Sequence, residues 1–196
     1  MKVYILNADS NRYRSLYLAN ADDVERFDPP LAGEALGPSW SPLPVWFPAD
    51  EENLLPGDFP QLQAVGEPVF SRRALEVFGD LLEGRGEFLP LSGVDDYVLF
   101  NVTRVPDVLD RQESELAYFD DGGVMDIDHY AFDPHRVANE TIFRLPPIPD
   151  LYRYVTGPFV QRAQDAGLAG FAFDRIVWSD EADARIGWTS PEPGRR

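Results

Sequence analysis

Between Pro29 and Pro60 one residue in four is a proline: "PPLAGEALGPSWSPLPVWFPADEENLLPGDFP". Proline has no amide donor and a fixed φ, so a stretch this dense opposes both an α-helix and a central strand. The predicted conformation is extended coil. Trp40, Trp46, Phe47 and Phe59 lie within it, and disordered segments are poor in aromatic residues. The rings are therefore expected to pin the coil to a core. Left exposed, Trp40 and Trp46 would instead offer a partner an apolar anchor.

Regular structure has to come from the flanks. Residues 3–6, "VYIL", are β-branched and aromatic and predict a first strand. "NADDVERF" predicts a short helical turn capped by Asn20. Ser71 predicts the N-cap of a helix over "RRALEVFGDLLEGRG". At 100° per residue, Ala74, Leu75, Phe78, Leu81 and Leu82 share one side, with Val77 at its margin. Arg72, Arg73, Glu76, Asp80 and Glu83 share the other, and Gly84 suits the left-handed position that ends such a helix. A second, shorter helix is predicted from Thr156 over "TGPFVQRAQDAG", its apolar side Phe159, Val160, Ala163 and Ala166. Gly167 should be its left-handed C′ residue, with Leu168 folding back on the last turn.

Strand patterns fill most of the remainder. "YVLFNVTRV" (97–105) is a dense β run; "DDGG" (120–123) is turn chemistry leading into "VMDIDHYAF". There Met125, Ile127 and Ala131 alternate with Asp126, Asp128 and Tyr130. "TIFRL" and "LYRYV" predict two shorter strands, and "GLAGFAFDRIVW" (167–178) a last one after its glycines. The order lacks a regular βαβ alternation, which predicts an α+β fold. The sheet should be mixed or mostly antiparallel, with two principal short helices and the proline-rich N-terminal coil. One domain is expected over 1–196: a strand and wrapping coil to residue 60, a body over 61–180 and a polar tail over 181–196.

The formal charge is −17, from 34 acidic and 17 basic residues. Such a field repels nucleic acid and anionic lipid and favours a basic partner. No apolar run reaches the roughly 18 residues a membrane helix needs, and the N-terminus turns polar at Asn7, so a soluble, cytoplasmic protein is expected. The absence of cysteine removes disulfides and thiolate chemistry.

Chemical motifs are sparse. "DIDHYAFDPH" gathers Asp126, Asp128, His129, Asp133 and His135. In a regular strand, however, His129 would face the same way as Met125 and Ile127, half-buried, while Asp126 and Asp128 point away, so no metal set is expected. No GxSxG elbow, Walker A loop or dinucleotide fingerprint occurs, and no cofactor or catalytic residue is expected. What remains is a charge pattern. Asp107, Asp110, Glu113, Glu115, Asp120, Asp121, Asp126 and Asp128 are opposed within that stretch only by Arg111. A second cluster is Asp50, Glu51, Glu52 and Asp58. Acidic loops either simply solvate a turn or steer a basic protein into contact. On the second view, Asp107, Asp110, Glu113, Glu115, Asp120 and Asp121 are the candidate partner-binding residues, together with Trp40 and Trp46.

Six segments occur in an order that matches a known family: "GDFPQL" (57–62), "EPVFSRRALEVFGDLLEGRGEFLPL" (67–91), "YVLFNVTRVPDVLDRQES" (97–114), "YAFDPHRV" (130–137), "TIFRLP" (141–146) and "AGLAGFAFDRIVW" (166–178). Over residues 40–178 the chain resembles a bacterial family first described as a domain of unknown function and later assigned as immunity proteins of polymorphic toxin systems. The resemblance implies an α+β protein that binds and silences a cognate toxin, with no catalytic residues to carry over. It places toxin specificity in the loops between shared segments, the acidic 107–128 region included. Two readings of other classes stand beside it. One is a small hydrolase or transferase using carboxylates in a cleft; the other is a non-catalytic module of a larger assembly.

Overall fold

The computed structural model describes residues 1–27 and 31–181. Pro29, Pro30 and all of the expected polar tail except Glu181 lie outside the described residues. The strands are, in chain order, β1 (Lys2–Ile5), β2 (Asn7–Ala8), β3 (Tyr17–Leu18), β4 (Leu43–Trp46), β5 (Val69–Ser71), β6 (Gly86–Ser92), β7 (Tyr97–Val102), β8 (Glu115–Tyr118), β9 (Val124–His129), β10 (Ile142–Phe143), β11 (Tyr154–Thr156), β12 (Phe171–Ala172) and β13 (Ile176–Ser179). The α-helices are α1 (Arg72–Leu82), α2 (Pro134–Val137) and α3 (Gly157–Asp165), and a 3-10 helix covers Ala21–Phe27. Asn20 Oδ1 accepts from the Asp22 amide at that helix's start, as a cap should.

Two principal sheets result. One is antiparallel, in the order β10-β11-β1-β13; the other is mixed, in the order β3-β4-β6-β7-β5, with β4 and β6 parallel. Two smaller pairs, β2-β12 and β8-β9, are antiparallel. The fold is α+β, as the element order predicts.

Side-chain alternation along the strands sorts the interior into three clusters. Phe70, Phe100, Ile142 and Val155 face the buried sides of α1 (Ala74, Phe78, Leu82) and α3 (Phe159, Val160, Ala163). The helices thus meet one face of each sheet, and the rings of Phe78 and Phe159 stack with centroids 4.0 Å apart. Val69 and Leu99, one position over, turn into a second cluster with Leu43, Val45 and Leu89. Val3, Ile5, Phe143 and Tyr154 turn the other way from the antiparallel sheet, against Ile127, Tyr130 and Phe132.

Helix boundaries follow their capping residues. Ser71 Oγ accepts from the Ala74 amide at 3.0 Å and donates to Asp58 Oδ1 at 2.7 Å. Gly84, just past α1, has φ +68°. At the end of α3, the Gly167 amide bonds the Gln164 carbonyl and the Leu168 amide the Ala163 carbonyl. These two bonds form a Schellman motif, with Gly167 left-handed at φ +61°.

The proline-dense segment departs from the expected coil. Residues 43–46 form β4, an interior strand that contains Pro44, and β6 contains Pro90. Each proline stands at the margin of a ladder: Pro44, whose carbonyl and missing amide share the β3 side, lies just past the last β3-β4 pair, Leu18 with Val45, and Pro90 lies just before the short parallel ladder that pairs Leu43 with Leu91 and Pro44 with Ser92. Their carbonyls still serve as acceptors: Pro44 for the Ala19 amide and Pro90 for the Trp40 indole. Phe59 is buried, and Trp40 and Phe47 pack partly buried on the second cluster, so these rings do pin the segment. Trp46 does not: with Leu43 and Val45 facing in, alternation turns it outward, 48% exposed.

Candidate partner-binding surface

The acidic segment has a fixed base and a free end. At the base, an isolated bridge pairs Leu109 with Phe132, and the Asp110 and Asp133 amides bond the Ala131 and Val108 carbonyls. Ser114 Oγ closes the neck, accepting from the Ala131 amide at 3.0 Å. Asp107 lies 3.8 Å from Arg111 and 3.6 Å from Arg136, and is thus partly neutralised. Asp110 Oδ1 accepts from the Gln112 and Glu113 amides, which shapes the turn.

Beyond the neck, β8 and β9 form a hairpin paired with no third strand among the described residues. Its turn is built by the predicted DDGG: the Gly122 amide bonds the Phe119 carbonyl, the Phe119 amide bonds the Gly123 carbonyl, and Gly122 takes φ +87°. Asp121 Oδ1 accepts from the Gly123 amide at 3.0 Å. Glu113, Glu115, Asp120, Asp121 and Asp128 are exposed and form no ion pair with another described residue.

The register of this hairpin is irregular, and that changes which side chains face water. Glu115 pairs with His129 but Leu116 with Ile127; Ala117 pairs with Asp126 but Tyr118 with Val124. Asp128 and Met125 are therefore extra residues in two β-bulges, and a bulge re-aims the side chains around it. Strict alternation predicts Met125 and His129 on the inner side with Ile127. Instead Ile127 alone is buried, and Met125 and His129 are exposed. Tyr130, expected on the polar side, is buried, and its hydroxyl lies 3.0 Å from that of Tyr154. Burial pushes the Tyr130 phenol well above its ordinary value.

Tyr118, Phe119 and Met125 are consequently exposed at 58%, 54% and 45%, all at the outer end of the hairpin. The sequence reading did not single them out as surface residues. The available signal was their position near a two-glycine turn at a hairpin tip, where one side of the hairpin has no core to cover it and the other, with Val124, still does.

Trp46 ends β4 of the mixed sheet and Trp40, just after a 3-10 turn, packs on that sheet's cluster, whereas the hairpin packs on the antiparallel sheet through Leu116, Val124 and Ile127. Trp40 donates to the Pro90 carbonyl at 3.0 Å, with the Arg26 guanidinium 4.3 Å over its ring. Trp46 donates to the Leu18 carbonyl at 3.3 Å. The second acidic cluster is partly structural. Asp58 is buried and accepts from Ser71, Arg73 and the Ala169 amide, and Glu51 accepts from the Ser15 amide and Tyr17 hydroxyl.

Among the described residues no group of three His, Asp or Glu side chains is placed to hold a metal. No helix there is long and apolar enough to cross a membrane.

Fold and surface define a class: an α+β scaffold that carries uncompensated charge on a projecting arm. Comparison supplies the particular family. Residues 4–177 match the model of the immunity protein family Imm11, and the chain belongs to that family. No curated protein matches the chain. Membership assigns an immunity function and, in general, a toxin as partner; it points to a non-catalytic role.

Proposed function

We propose that the protein acts in the cytoplasm of the producing cell, binding one cognate toxin directly and silencing it by covering its active surface. The observation that carries this reading is the run of exposed, unpaired carboxylates from Glu113 to Asp121 on a hairpin anchored at its base. Uncompensated charge adds little to a fold, but it accelerates encounter with an oppositely charged protein. The partner's contact surface is therefore basic. Asp107 and Asp110 stand at the foot of the same surface. Trp40 and Trp46 form a separate candidate contact on the mixed sheet, where Trp46 has the greater exposure.

Coexpression with the toxin encoded by the adjacent gene tests this. Host cells should survive, and the two proteins should copurify at low salt. If cells die and no complex is recovered, the protein is not that toxin's immunity partner.

A further inference from the structure

The exposed apolar residues of the β8-β9 hairpin contribute little to the fold. Ile127, Leu116 and Val124 attach the hairpin to the antiparallel sheet, and Leu109 and Phe132 close its base. Tyr118, paired with Val124, Met125, next to it in the chain, and Phe119 stay exposed at the outer end of these contacts. An isolated two-stranded hairpin is marginal in water, and large apolar side chains at its end add no stability unless something covers them. The outer bulge makes the arrangement specific. Without the extra residue the strand would carry Met125 inward with Ile127; with it, Met125 faces out at the same end as Tyr118 and Phe119.

We propose that this hairpin is a docking arm whose tip, Tyr118, Phe119 and Met125, seats in an apolar depression on a basic surface of the partner toxin. The proposal rests on the toxin-binding reading above and names the anchor within it. Charge decides the occupant. Between Glu113 and Asp128 there are six carboxylates and no basic residue. A second copy of this chain would bring six more against them, and nucleic acid or an anionic membrane is repelled in the same way. A basic protein alone gains on both counts, its cations pairing with the ring of carboxylates while its apolar depression covers the rings and the thioether. Aromatic side chains that bury on binding are the usual anchors of such interfaces, with charged neighbours at the rim setting the encounter rate.

The test measures binding of the full-length protein to the toxin encoded by the adjacent gene, inactivated in its own catalytic site. Phe119→Ala and Tyr118→Ala should each weaken the complex by about 30-fold or more, mainly through faster dissociation. The double variant Asp120→Asn/Asp121→Asn should slow association several-fold at low salt with little change in dissociation. Phe88→Ala, which truncates an equally exposed ring on β6, should stay within about two-fold of the wild type. Far-UV circular dichroism and melting temperature check that each variant folds. If folded Phe119→Ala and Tyr118→Ala bind as the wild type does, the arm is not the anchor, while the toxin-binding reading stands. If the wild type itself does not bind, both fall. If sedimentation shows a wild-type dimer that Phe119→Ala dissociates, the tip serves a second copy and the proposal is overturned.

Discussion

Arg144 and Glu67, 77 residues apart, meet in the interior with Nη2 2.9 Å from a Glu67 oxygen and both side chains sealed from water. The rest of the guanidinium is taken as well. Nε donates to the Val102 carbonyl, and Nη1 donates to the carbonyls of Leu31 and Pro149. Glu67 also holds Arg153. One buried side chain thus ties the proline-dense segment, the mixed sheet and the loop before β11 together.

Arg144→Met should therefore lower unfolding stability by about 3–5 kcal/mol, because it leaves the buried Glu67 carboxylate with Arg153 as its one remaining cation and takes the donor from the Val102, Leu31 and Pro149 carbonyls. Urea denaturation measures the loss. The same ties lead us to expect one cooperative transition for the wild type, as a single domain would give. Two separate transitions, or a loss below about 1 kcal/mol, would contradict this account.

A second expectation concerns pH. Glu87 accepts from the Leu36 amide at 2.6 Å, the Gly37 amide at 2.9 Å and the buried Asn101 side chain at 2.9 Å. Burial pushes its carboxyl up, but these three donors outweigh burial and hold it below its ordinary 4.5. A depressed folded-state value stabilises the native protein above the unfolded-state value, and that contribution is lost as pH falls through the folded one. The stability gap between wild type and Glu87→Gln should be full at pH 7 and close on acidification below about pH 4.5. A gap unchanged down to pH 3 would show that the latch does not depend on the charge.

How far the sequence foretold this molecule depends on the range of the interaction. Ser71, Gly84, Gly167 and Leu168 could be placed because a helix cap is set by neighbours three or four positions away. The strands containing Pro44 and Pro90 could not, because their partners, not their own propensity, decide whether a missing amide matters. The Arg144–Glu67 pair left no mark in the sequence, since each residue looks like any surface charge until the sheets assemble. For the candidate surface, the acidic stretch and its DDGG turn were legible. The outward turn of Met125 and His129 was not, because a bulge shifts the phase without changing the composition.

Salt offers a third test. If the hairpin carboxylates steer a basic toxin, association should slow by about ten-fold or more between roughly 20 mM and 500 mM salt, with dissociation nearly constant. Asp107→Asn should alter this little, since Arg111 and Arg136 already stand against that charge. Stopped-flow fluorescence reads both rates, and an association rate indifferent to salt would remove the carboxylates from the mechanism.

Gly170 gives a fourth. It has φ +92°, and a Cβ there would stand 3.1 Å from the Phe59 carbonyl oxygen. Gly170→Ala should cost about 1–3 kcal/mol through strain at a left-handed position with no free space. A melting temperature equal to the wild type's would show that the turn relaxes.

The bulge at Met125 separates two tasks within six residues of one strand. Inward of it, Ile127 is committed to the shared interior; outward of it, Val124 still rests partly buried on that interior, while Tyr118, Phe119 and Met125 have none to match. Substitutions at the tip can then accumulate without repacking the protein, so a lineage facing a changed toxin could alter its recognition residues while the scaffold beneath stays as it is.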